Sequence, residues 1–137
     1  MTTDALGILY HPTVPAARLL ADDLRLALQQ QAKRVWVRSA WDEGAAIDAT
    51  DTDLMICIGG DGTVMRAARI VIPRQTPIIG VNMGRLGFLS EINPEEALPH
   101  LRQALAGDAR VEYRTMLRAE VTLPDGTRRR NWARSTC

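Results

Sequence analysis

Short apolar runs separated by stretches of helical length set the organisation of this chain. Residues 6–10 are a first apolar run and read as a buried strand. Thr13 is a candidate cap for a helix running to about Gln31, in which Ala17, Leu20, Ala21, Leu24 and Leu28 recur on one face while Arg18, Asp22 and Arg25 face water. Residues 34–38 predict a second strand, with Val35 and Val37 on one side and Trp36 on the other. Residues 39–52 hold Gly44, small residues and four acids, a weak pattern that reads as a loop with room for a short helix. Residues 54–58 are apolar without a break, as expected of a strand covered on both faces.

After the glycines that follow, Val64, Ala68, Val71 and Ile72 form the inner stripe of a second helix, Arg66 and Arg69 lie opposite, and Pro73 ends it. Residues 77–81 give a fourth buried strand. Asn93-Pro94-Glu95-Glu96 has the cap, the first-turn proline and the acid of a helix start, and Gly107 stops that helix; Pro99 inside it predicts a kink or a late start. Strand and helix alternating in this order predict a parallel, Rossmann-like α/β sheet with flanking helices and right-handed crossovers. From Arg110 the pattern changes. Residues 111–123 loosely alternate, Pro124-Asp125-Gly126-Thr127 signals a hairpin turn, and Arg128 begins a return strand. A lone hairpin cannot bury its own face, so residues 111–137 are expected to begin an antiparallel β domain that is cut short, after an α/β domain over 1–110.

Composition narrows the chemistry. With 137 residues and 46% hydrophobic content the chain is long enough to bury a core. Aromatic residues are 4% and the net charge is +1, which argues against a single-stranded nucleic acid as partner. The positive charge is confined to the end, where six arginines from Arg114 onward face Glu120 and Asp125. Cys57 falls inside a predicted strand and Cys137 is terminal, a pattern without a disulfide framework. No run has the length of a membrane span and the start lacks the regions of a signal peptide, so the expectation is a cytoplasmic protein without a membrane partner.

Gly59-Gly60-Asp61-Gly62-Thr63 directly follows the third apolar run. Glycines there let the backbone take positive φ and bring the amides of Gly59, Gly60 and Gly62 close to phosphate oxygens. A helix opening at Gly62 or Thr63 would aim its unpaired N–H groups and positive dipole end at the same spot. An ionised Asp61 in that setting could accept a proton from an alcohol. The same residues also suit an ordinary strand-to-helix turn. A dinucleotide fingerprint would need a small residue at Met65, and a Walker A loop would need a Gly-Lys-Ser/Thr ending that is absent. The run Asn82-Met83-Gly84-Arg85-Leu86-Gly87-Phe88 follows the fourth strand and should open on the same sheet edge. It either walls a pocket there or plugs the core with Leu86 and Phe88.

Taken with Ile79-Gly80-Val81, Leu89 and Pro94-Glu95-Glu96, these two loops make residues 5–123 resemble the amino-terminal part of an NAD kinase. The glycine-acid motif alone is shared with lipid kinases of the diacylglycerol type and, loosely, with phosphofructokinases; the Asn-x-Gly-x-Leu-Gly-Phe segment selects NAD kinase. The resemblance implies transfer of the γ-phosphoryl of ATP, or of polyphosphate, to the 2′-hydroxyl of the adenosine ribose of NAD, giving NADP. It implies Asp61 as base, Gly62 and Arg66 on the dinucleotide with Phe88 against it, and Gly59 and Gly60 near the phosphates. A divalent cation, magnesium, would offset the charge of the phosphates, with Arg66, Arg69 and Arg85 as nearby cations. It also implies a homo-oligomer in the full-length protein and a following β-rich domain with an Asn-Glu or Asn-Asp pair. Here Asn131 is followed by Trp132, so the expectation is an inactive fragment of such an enzyme. The competing readings are a lipid or sugar kinase with the same loop, and a non-catalytic nucleotide-binding module.

Overall fold

The structure, a computed structural model, describes residues 3–84, 87–90 and 92–134. Four parallel strands make the main sheet: β1 (Ala5–Tyr10), β2 (Arg34–Ser39), β3 (Leu54–Gly59) and β4 (Ile78–Asn82), in the order β2-β1-β3-β4. Between them run α1 (Pro15–Leu28), the short α2 (Ala45–Asp48) with a 3-10 turn at Ala49–Asp51, and α3 (Asp61–Val71). A 3-10 turn at Pro94–Glu96 leads into α4 (Ala97–Leu105). The antiparallel pair β5 (Met116–Thr122) and β6 (Arg128–Arg134) follows.

Alternation along the central strands divides the core into two layers. Leu6 and Ile8 of β1 with Leu54, Ile56 and Ile58 of β3 face α1 and α4, where Ala17, Ala21, Leu24, Leu28, Ala97 and Leu101 are buried. On the other face Leu9, Met55 and Cys57 meet Trp36 and the small inner residues of α2 and α3. Gly7 makes this second layer possible: a Cβ there would lie 2.7 Å from Trp36 Cε2. The indole Nε1–H donates to Thr52 Oγ1 (2.8 Å), whose hydroxyl donates to the Asp48 carbonyl (2.7 Å), so a buried tryptophan loses no polar partner. Asp53 ties the opposite end of the sheet, accepting the N–H groups of Asp4 (2.9 Å) and Ala5 (3.0 Å) and pairing with Arg74 (2.6 Å).

Several element ends differ from the sequence expectation. Thr13 caps nothing: its N–H donates to His11 Nδ1 (3.2 Å), and Val14, extended at φ −111°, precedes the helix. Pro15 at the first helical position holds the residue before it extended, which moves the cap past Thr13. The helix stops at Leu28 rather than Gln31, and Leu20 is partly buried against the core. α3 begins at Asp61, and its buried stripe is Thr63, Val64, Ala67 and Val71, with Ala68 and Ile72 half-buried. Asn93 stands at the cap position without a side-chain bond. Pro99 falls in the first turn of α4, where an N–H would lack a helical partner, so the late start applies. Gly107, at φ +85°, closes α4 with N–H bonds from Gly107 to the Ala104 carbonyl (3.1 Å) and from Asp108 to the Gln103 carbonyl (2.9 Å). The hairpin turns at Gly126 (φ +87°), as Pro124-Asp125-Gly126-Thr127 predicted, but β5 spans Met116–Thr122, less than the alternating run.

Candidate functional site

The sheet winds outward in both directions from β1 and β3, so the crevice beyond their carboxyl ends is the topological switch point. β1 ends beside His11, whose N–H donates to the Ile58 carbonyl (2.9 Å), and β3 ends in Gly59-Gly60. Gly60 is the N-cap residue of α3 and is extended at φ −120°, ψ −164°. Positive φ is thus not what the loop glycines supply. Among the described residues the glycines with positive φ are Gly107 and Gly126. Gly59 is required for space: a Cβ on it would stand 3.0 Å from Thr63 Cβ and 3.2 Å from His11 Cβ, and would press on the Thr63 hydroxyl. Gly60 and Gly62 have open space where a side chain would be, so a ligand can approach the first turn of α3 from that side. No side chain caps that turn, and Thr63 Oγ1, buried within it, has no hydrogen-bond partner among the described residues.

Asp61, the first residue of α3, faces the second loop. Its Oδ2 accepts the Phe88 N–H (3.1 Å) and its Oδ1 the Leu89 N–H (3.0 Å). Gly87 makes room for this grip, since a Cβ there would lie 2.9 Å from Asp61 Cγ. The two loops also meet through the backbone, where the Met83 N–H donates to the Gly59 carbonyl (3.0 Å). The Phe88 side chain is 88% exposed, so it does not plug the core. Arg85 and Leu86 lie outside the described residues. Ionised carboxylate oxygens carry about four acceptor positions between them, so two N–H donors orient Asp61 and leave it able to accept from a hydroxyl.

Arg66, one turn further along α3, makes no ion pair among the described residues; its guanidinium carbon lies over the Trp41 ring, 4.4 Å from the centroid. The His11 ring meets the same indole edge to face, with centroids 4.7 Å apart. The two arginines of β2 are instead spent in ion pairs. Arg34 binds Asp48 (2.8 Å) and Asp51 (2.6 Å), and Arg38 binds Asp42 (3.0 Å) and Asp48. Arg69, also on α3, is exposed. His11 and Trp41 were not singled out in the sequence. Their signal is position, since each closely follows the carboxyl end of a strand on the ligand edge.

A magnesium ion fits this donor set in one way. Among the described residues no three His, Cys, Asp or Glu side chains gather as a metal cage. Magnesium commonly takes one or two carboxylates together with substrate phosphates, and Asp61 is the carboxylate of the glycine loop.

An acid-bearing glycine loop at the switch point of a doubly wound sheet defines the class: an α/β domain with an open crevice beyond the strand ends, where such folds place their ligands. The model of the ATP-NAD kinase N-terminal domain matches residues 7–109. The chain belongs to this family. It is 38% identical over 128 residues to an NAD kinase of Dehalococcoides mccartyi, covering 93% of this chain and 45% of that protein. It is 52% identical over 71 residues to an NAD kinase of Moorella thermoacetica, covering 52% of this chain and 23% of that protein. The fold is that of yeast NADH kinase, solved in complex with NADH, at a TM-score of 0.75 and 18% identity over 96% of this chain and 44% of that one. The chain therefore spans under half the length of these relatives. Among the described residues no helix is long and apolar enough to cross a membrane.

Proposed function

We propose that the protein carrying this chain transfers the γ-phosphoryl of ATP, or a phosphoryl of polyphosphate, to the 2′-hydroxyl of the adenosine ribose of NAD, giving NADP. The observation that carries the reading is the Asp61 carboxylate held between the two loops by the N–H groups of Phe88 and Leu89. Phosphoryl transfer has a loose transition state in which the nucleophile loses its proton late, so Asp61 chiefly orients the ribose hydroxyl and then accepts its proton. Gly62 and Arg66 contact the dinucleotide, Phe88 lies against it, and the open side of Gly60 with neighbouring Gly59 takes the phosphates. Magnesium, bound mainly by the donor's phosphates, would offset the repulsion between those phosphates and the Asp61 carboxylate.

In the same reading residues 1–110 are the loop-bearing domain, and residues 111–137 begin the β-rich NAD-binding part, which supplies the remaining contacts. Homo-oligomeric assembly of the full-length protein and a cytoplasmic setting belong to the reading through the family. Incubation of that protein with NAD and ATP, or NAD and polyphosphate, with magnesium tests it. NADP is the expected product; phosphorylation of a diacylglycerol or a sugar with NAD untouched would replace the reading by a kinase of another substrate class.

A further inference from the structure

We infer that Trp41, braced by His11, is a positioning residue that presets the Arg66 guanidinium for the phosphate groups of the nucleotide. The inference rests on the proposed role of Arg66 as a nucleotide contact. It starts from the way an arginine can be held. A guanidinium paired to a carboxylate spends both its charge and its in-plane N–H groups, which is the state of Arg38 between Asp42 and Asp48. A guanidinium lying over an aromatic ring is held through its face, so the N–H groups around its rim stay available for a bidentate contact with phosphate. Arg66 is held in the second way, 4.4 Å from the Trp41 centroid.

The indole is itself fixed. Its backbone N–H donates to Ser39 Oγ (3.1 Å), and the His11 ring contacts it at an interplanar angle of 61°. His11 in turn is oriented by the Thr13 N–H, which occupies Nδ1 (3.2 Å), and by its own N–H on the Ile58 carbonyl (2.9 Å). The carboxyl ends of β1 and β2 thus supply a two-ring support for a cation on α3, next to Gly59, whose Cβ position lies 3.2 Å from His11 Cβ. Trp41 is 45% exposed, so core packing does not account for an indole at this place. Holding Arg66 in advance removes side-chain entropy that binding would otherwise cost.

The test follows the Arg66 side-chain Nε–H resonance in the 137-residue chain and in Trp41→Leu and Trp41→Phe, each titrated with pyrophosphate. The expected spectrum of the unmodified chain shows an upfield ring-current shift of Arg66 that Trp41→Leu abolishes and Trp41→Phe largely keeps. Pyrophosphate should move the Arg66 resonance, with affinity about three-fold weaker in Trp41→Leu and near the original in Trp41→Phe. Equal pyrophosphate affinity in the unmodified chain and Trp41→Leu, or an Arg66 resonance that pyrophosphate leaves unmoved, would overturn the inference. A pyrophosphate response of Arg66 together with no NADP formed by the full-length protein would count against the NAD reading and leave the positioning role standing.

Discussion

At the scale of single residues, the site turns on how little room surrounds Asp61. Its place in the glycine loop was legible in the sequence; its bonds to the Phe88 and Leu89 N–H groups were not, because they join residues 27 and 28 positions apart. The glycines carried a partly misleading signal. Their prevalence suggested positive φ, whereas Gly60 is extended and Gly59 and Gly87 serve by lacking a Cβ that would strike Thr63 and Asp61. Gly87→Ala is therefore expected to turn the Asp61 carboxylate off its two donors. Under the proposed reading, NADP formation by the full-length protein should fall by roughly 100-fold, the order of loss that a 1 Å misplacement of a reacting group brings. The stability cost should stay on the order of 1–3 kcal/mol, as for bonds to a charged acceptor. Steady-state kinetics beside urea denaturation checks both, and unchanged turnover would show that the grip on Asp61 is unimportant.

Among the elements, strands were easiest to read, because β1 and β3 are covered on both faces and give unbroken apolar runs. Helix ends were harder. Pro15 shifted the start of α1 away from Thr13, and the burial of Thr63 turned the inner stripe of α3, neither of which hydrophobic spacing alone encodes. The segment between β2 and β3 was weakest in pattern, since polar contacts order it: Asp42 accepts the Gly44 N–H (2.8 Å) and pairs with Arg38. That Gly44 bond first, and Arg38 second, hold the Asp42 carboxyl below its ordinary 3.8. A carboxyl lowered on folding stabilises the folded turn fully above the unfolded value and loses that contribution as pH falls through the folded one. The Gly44 amide resonance should accordingly titrate with a midpoint below 3.8, and a midpoint above it would contradict this arrangement. Deeper in the sheet, Gly7→Ala forces a methyl group against Trp36 and should cost about 1–3 kcal/mol, read as a lower urea midpoint; an unchanged midpoint would mean that Trp36 is free to move aside.

For the whole molecule, the order of strands is what brings the chemistry together. The alternation of strand and helix foretold a parallel sheet, but the order β2-β1-β3-β4 sets the crevice between β1 and β3, and with it places His11 and Trp41 near Asp61's loop. The sequence could not place these two aromatic rings because the contact that unites them with Arg66 spans three separate crossings of the sheet. The match of residues 7–109 to the ATP-NAD kinase N-terminal domain accounts for the loops, and the structure accounts for why they meet. The most direct test compares Asp61→Asn with the unmodified sequence in the full-length protein, measuring turnover of NAD to NADP beside the dissociation constant for NAD. Turnover is predicted to fall by about 100- to 10,000-fold, the range for loss of a general base, while NAD affinity changes by less than about three-fold. Equal losses in turnover and affinity would make Asp61 a binding residue and contradict its proposed role at the ribose hydroxyl.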